Sequence, residues 1–219
     1  MKAERACFFN LERSARLIQL YRTLRKKGTT HRACSDVLRA AYVLSVGALD
    51  AYIHDKISEN IVRYIRNAAA KNANEKLTPL NEILISKKIP PIDLVLLATR
   101  RRPFVQVRRY IDEHIFEQTF QHPGSIEKAM KLIGVPDLWT NVATAQNRIL
   151  DPALRESREA ICRDLASFAK RRNQIVHEGD RERSRTRKHK RRKISAKEVS
   201  RVLTRIFILV KAIDSLCKV

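Results

Sequence analysis

The sequence predicts an all-α fold, an up-down helical bundle with an insert of short helices, on three observations. Apolar residues recur at steps of three and four through nearly every segment, the spacing of one helix face. Only five glycines and seven prolines punctuate the 219 residues. Helix-boundary signals fall where the periodic runs begin and end: Ser195-Ala-Lys-Glu198 has the S-x-x-E form of a capping box, and Gly28 and Gly179 stand just past two of the runs.

Taken in order, Phe8 to Lys27 reads as a first helix that Gly28 stops. Arg32 to Ala70 reads as a long second one, with Leu38, Tyr42, Val46, Leu49, Ile53, Ile57, Ile61 and Ile65 on one face. Thr78-Pro79 offers an N-cap and a first-turn proline for a short helix through Ser86, and Pro90-Pro91 starts another, interrupted at Arg102-Pro103. Phe104 to Phe120 continues helically, Ser125 to Gly134 frames two turns, and Pro136 to Gln146 makes one more short helix. Asp151-Pro152 is expected to cap a helix through Val176, whose core-facing stripe is Leu154, Ile161, Leu165, Phe168 and Ile175. The last helix follows the capping box, with Val199, Val202, Leu203, Ile206, Phe207, Val210 and Ile213 on one side. The whole chain, 1–219, is expected to form one domain. Its first, second, penultimate and last helices supply the core, 78–146 is the insert, and 180–194 is a basic loop, mobile without a partner.

Charge narrows the function. With 45 Lys and Arg against 23 Asp and Glu, the formal charge of +22 suits a protein that meets a polyanion, nucleic acid first. No apolar stretch approaches the roughly 20 residues that a membrane span needs, and the N-terminus lacks a signal-peptide core, so a soluble cytoplasmic protein is expected. Cys7, Cys34, Cys162 and Cys217 are scattered, without C-x-x-C or a Cys/His cluster, and read as reduced helix-face residues. The histidines are equally dispersed, so neither a structural metal nor a cofactor is expected.

Arg172-Asn173-Gln174-Ile175-Val176-His177 is the richest segment, because it sets a fixed cation, an amide and an imidazole where a helix stops. Residues four apart on a helix lie about 40° from each other and residues five apart about 140°, so Asn173 and His177 share a face and Arg172 does not. Arg172 falls seven residues after Leu165, on the apolar stripe, where a guanidinium needs an anionic or hydrogen-bonding partner. An imidazole is the side chain suited to take and give protons near neutral pH, and the negative end of a helix dipole favours its cation. Taken alone, His177 reads sooner as an ordinary histidine closing a helix and stabilising its dipole. Ala166, Ala169 and Cys162 flank its side and would let another helix approach.

Between Arg181 and Lys193, nine of thirteen residues are Lys or Arg. Such a run repels itself, and by itself it reads as well as a solubilising or targeting stretch. Its place just after His177 argues instead for contact with a phosphate chain, through Arg171, Arg181, Arg183, Arg185, Arg187, Lys188, Lys190, Arg191, Arg192 and Lys193. A second cluster, Arg100, Arg101, Arg102, Arg108 and Arg109, reads as another wall or as the solvated face of an amphipathic helix.

Arg172-Asn173-x-x-x-His177 resembles the R-N-x-x-x-H motif of the HEPN (higher eukaryotes and prokaryotes nucleotide-binding) superfamily. The longer stretch Arg171-Arg-Asn-Gln-Ile-Val-His-Glu-Gly-Asp180 resembles the motif region of its RiboL-PSP subgroup. Leu38-Arg-Ala-Ala-Tyr-Val-Leu-Ser-Val-Gly-Ala-Leu-Asp-Ala-Tyr-Ile-His-Asp55 is similar to that subgroup's long helix, and Gly134-Val-Pro-Asp-Leu-Trp139 to its middle region. The resemblance spans most of residues 10 to 180 and leaves the basic run outside it. It implies a HEPN-like bundle and a metal-independent ribonuclease that works as a symmetric homodimer, with a role as a prokaryotic toxin or antiphage-defence effector.

On that reading His177 is the base that takes the proton of an RNA 2′-hydroxyl, which attacks the adjacent phosphorus. Arg172 holds the nonbridging oxygens with its planar fork, and Asn173 orients the ring or the phosphate. The products are a 2′,3′-cyclic phosphate and a 5′-hydroxyl. Asp50, a carboxylate on the apolar stripe between Val46 and Ile53, is expected to pair with Arg172 and aim it, or else to be satisfied by water and neighbouring cations. His54, Tyr52 and Trp139 are expected to be structural. Two other classes fit the same residues: a noncatalytic RNA- or DNA-binding helical module, and a subunit whose basic face meets an acidic antitoxin or regulatory protein.

Overall fold

The computed structural model describes residues 2–70, 102–115, 118–148, 155–181 and 191–217. Their helices are α1 (Ala3–Lys26), α2 (His31–Ala70), α3 (Pro103–Ile115), α4 (Pro123–Lys131), α5 (Leu138–Asn147), α6 (Arg158–His177) and α7 (Ala196–Leu216). No strand occurs among the described residues, and the only extended pairing there is an isolated antiparallel bridge between Arg181 and Arg191.

Four residues join α1 to α2, too few for anything but an antiparallel hairpin. Gly28, at φ +87°, makes the reversal, and Tyr21 hydrogen-bonds His31 at 2.8 Å across it. At the far end the Ala3 N–H donates to Glu59 at 2.6 Å. The predicted stripe of α2 is its inner face: Leu38, Tyr42, Val46, Leu49, Ile53, Ile57 and Ile61 are all buried.

α7 runs parallel to α2 and antiparallel to α1. Its Asp214 meets Lys56, the Cys217 carbonyl accepts from Arg63 at 3.1 Å, and Lys211 meets Glu4 at 3.2 Å. α6 runs the other way, with Asp164 bridging to Arg201 and Arg205 of α7, and Glu198 facing Arg171 at 3.8 Å. The four long helices therefore go up, down, up and down, as the sequence predicts, and the first turns of α2 around Arg39, the end of α6 and the start of α7 lie toward one pole.

Several boundaries differ from the sequence reading. The penultimate helix begins at Arg158 rather than Pro152, because Ser157 supplies the cap by accepting from the Ala160 N–H at 3.2 Å. The run from Phe104 ends at Ile115, and beyond it the Phe120 N–H donates to the Asp50 carboxylate instead of to a helical carbonyl. The last stripe needs one correction: Phe207 is 41% exposed and stacks on Phe8 with ring centroids 4.7 Å apart. Thr78-Pro79, Pro90-Pro91, Asp151-Pro152, Leu154, Arg100 and Arg101 lie outside the described residues.

The later part of 78–146 is more than an insert. α5 packs against both α6 and α7, burying Leu138, Trp139 and Val142, while α4 buries Ile126 and Met130 in the same core. Trp139 is structural as expected, its Nε1 donating to the Pro123 carbonyl at 3.2 Å.

Candidate active site at the end of the motif helix

α6 buries Ile161, Leu165, Phe168 and Ala169, so its apolar stripe fixes how the last turn is presented. The helix stops at His177, where the sequence places its end, and Gly179 follows at φ +59°. Asn173 and His177 are both exposed, four residues apart on the same outward face. Val176 beside them is 45% exposed.

Arg172 lies half-buried on the stripe side. Its Nη1 donates to the Asn173 carboxamide oxygen at 3.1 Å, which ties two motif residues together. Its Nε is buried and has no hydrogen-bond partner among the described residues. An unmet buried donor costs about 1–3 kcal/mol, and this atom is closed to solvent, so what Arg172 can offer a ligand is its exposed Nη side.

Asp50 does not aim Arg172. Its carboxylate accepts from the Phe120 N–H and from Gln121 Nε2 at 3.2 Å, pinning the segment after α3 to the middle of α2. It lines a groove of about 460 Å³ between α2 and α3, together with His54 and Asp112. On α2 it is Arg39 that meets the segment just after the motif, through Asp180, and Asp50 lies eleven residues, about 16 Å, further along that helix. His54 Nε2 donates to the Gln118 carbonyl at 3.0 Å, a structural role.

The basic segment divides. Arg183, Arg185, Arg187, Lys188 and Lys190 lie outside the described residues. Arg181 and Lys193 are exposed, and Arg192 is half-buried. Arg191 is exposed but paired with Asp36 at 2.9 Å. Arg171 is not an outward cation at all: its side chain is 13% exposed and ion-paired with Asp180, and its Nη2 donates to the Lys193 carbonyl at 3.1 Å. That corrects its grouping with the phosphate-facing residues. In the second arginine cluster, Arg108 pairs with Asp112 at 3.7 Å and Arg109 with Glu113 at 2.9 Å, which is the pattern of a solvated helix face.

Asp180 is the residue that pattern reading missed. It is 0% exposed within a run of cations, and Arg39 Nε donates to it at 2.7 Å. The one hint in the sequence is that a carboxylate directly follows the helix-stopping glycine, between Glu178 and Glu182. Among the described residues no cluster of His, Cys, Asp and Glu could hold a metal ion.

An up-down helical bundle whose penultimate helix ends in Arg-Asn-x-x-x-His defines a HEPN-type protein. A family model described as RiboL-PSP-HEPN matches residues 10–219, and the chain belongs to that family. The match runs through the basic segment and α7, beyond the stretch over which the resemblance is visible by eye. No curated protein and no solved structure matches the chain.

Proposed function

We propose that the protein is a metal-independent endoribonuclease, with Arg172, Asn173 and His177 as its catalytic residues. The observation that carries this reading is the half-buried Arg172 guanidinium, bonded to Asn173, beside an exposed amide and imidazole on the same helix end. RNA brings its own nucleophile, the 2′-hydroxyl. The chain has to supply only a base, His177, and donors for the charge that develops on phosphorus, Arg172 with Asn173.

The leaving 5′-oxygen also needs a proton, and one motif holds one imidazole. A twofold pairing of protomers would bring a second His177 and a second Arg172 to the same phosphate. Val176, apolar and exposed on the motif turn, supplies contact area for such a pairing. Arg181 and the cations of 183–193 that are not paired inward hold the strand, and single-stranded or loop RNA is the substrate because its backbone reaches in-line geometry freely. Family membership supports a role as a toxin or antiphage effector in a prokaryotic cytoplasm, restrained by an antitoxin or another regulatory protein.

The test is incubation of purified protein with total RNA in excess chelator, alongside His177→Ala, followed by end-group analysis. Fragments with cyclic phosphate and 5′-hydroxyl ends, lost in the variant while RNA affinity persists, are expected. Cleavage that needs added Mg²⁺ or survives the substitution refutes the mechanism. Binding without cleavage by the unaltered dimer assigns the noncatalytic module instead.

A further inference from the structure

Asp180 uses every polar group it has, and each reaches a different part of the chain. Its N–H donates to the Gln174 carbonyl at 2.9 Å, sealing the end of α6. Its carbonyl accepts from the Arg192 N–H at 2.8 Å, joining the two sides of the basic segment's root. Its carboxylate accepts from Arg39 on α2 and from Arg171 on α6. The backbone sits at φ +57°, a conformation uncommon outside glycine that aspartate tolerates better than most residues.

Two consequences follow for His177. The Arg171–Asp180 pair spans nine residues and closes a ring around the turn that carries the imidazole, so that turn is held at both ends. Arg39 ties the ring to the central helix, and its Nη2 reaches across to the Arg192 carbonyl at 2.8 Å. Within the ion-paired set, three guanidiniums, Arg39, Arg171 and Arg191, meet three carboxylates, Asp180, Asp36 and Glu198. With its guanidinium held by Asp180 and the Lys193 carbonyl, Arg171 is turned away from any RNA at the motif.

We infer that Asp180, with Arg171 and Arg39, is a positioning device that fixes the His177 turn and the root of the basic segment, and that Arg171 is not an RNA contact. This rests on the ribonuclease reading for its kinetic consequence and on geometry alone for its structural one. A displacement of about 1 Å at a reacting group can cost 10²-fold in rate, and that gives the expected scale.

The experiment compares Arg171→Met and Asp180→Asn with the unaltered protein, at a temperature where circular dichroism shows all three folded. Single-turnover cleavage of a short RNA should slow by tenfold or more in both. RNA affinity and its dependence on salt should stay as in the parent. A phosphate contact behaves oppositely: Kd rises, and the slope of log K against log salt becomes shallower by about 0.7 for the one lost contact to single-stranded RNA. That result for Arg171→Met, or an unchanged cleavage rate, overturns the inference. Amide hydrogen exchange supplies a readout that needs no activity. The amides of 174–181 and of Arg192 should exchange faster in either variant, and unchanged exchange overturns the anchor even where the ribonuclease reading stands. Should the parent protein leave RNA intact, the function falls while exchange still decides the anchor. Arg171→Met keeps the Arg39–Asp180 pair, so the test survives a failure of Asp180→Asn to fold.

Discussion

Removing the Asp214 carboxylate should cost the bundle far more than removing both members of its ion pair. Lys56 Nζ lies 2.5 Å from Asp214, the two side chains are 8% and 7% exposed, and they join α2 to α7 across 158 residues of sequence. Asp214→Ala leaves a buried ammonium with the Glu59 carboxylate 3.9 Å away. Breaking one side of such a pair costs about 3–5 kcal/mol, because the surviving charge keeps its desolvation penalty and loses its compensation. For a chain of this size each kcal/mol moves Tm by about 2–4 °C, so the midpoint should fall by roughly 6–20 °C. The double variant Lys56→Met with Asp214→Leu replaces the charges with apolar volume and should melt near the parent or up to about 4 kcal/mol above it in stability. Thermal and urea unfolding followed by circular dichroism measure both. Asp214→Ala within about 1 kcal/mol of the parent, or a double variant weaker than the single, would show that the pair is not the desolvated contact described here. Lys56 lies seventeen residues past Arg39 on α2, about 25 Å along the helix, so cleavage per folded molecule should not change.

Two further outcomes follow from local geometry. Gly134 has φ +80°, and a Cβ there would stand 2.3 Å from Tyr64 Cε2, so Gly134→Ala should destabilise by about 1–3 kcal/mol, with Tyr64→Ala relieving the clash but not the backbone strain; a double-mutant cycle by urea melts separates the two. Burial pushes the Cys7 thiol up to about 12 and the Cys217 thiol up to about 11 from an ordinary 9.0, so neither should alkylate at pH 8 in the native protein, whereas the more exposed Cys162 should label first by mass spectrometry. Because the folded thiols resist ionisation that the unfolded ones undergo, these two cysteines should subtract stability progressively as pH rises above about 9.

The legible parts of the chain were those governed by neighbours in sequence. The long helix was read to within one residue at its start, the last helix from its capping box, where Ser195 accepts from the Glu198 N–H at 3.1 Å, and the end of the motif helix from Gly179. That the first turns of α2, the end of α6 and the start of α7 lie toward one pole follows from nothing more than four helices of alternating direction. Misjudged positions were those whose partner is distant. Apolar stripes on two helices suggest Arg172 as a partner for Asp50, or else water and neighbouring cations, whereas its partner is a backbone N–H seventy residues on. Arg171 groups by pattern with the cations around it, since spacing cannot tell a guanidinium turned inward from one turned out.

By itself the sequence determined the helices, their caps and the Arg172-Asn173-x-x-x-His177 constellation, since each depends on spacing within a few turns and on the conformational preferences of single residues. Tertiary structure alone decided which charges are spent. Whether a carboxylate or guanidinium faces water or a buried counter-ion depends on segments brought together from 141 residues apart, as Arg39 and Asp180 are, and desolvation, which sets the value of such a pair, is a property of the packed core rather than of any local stretch of chain.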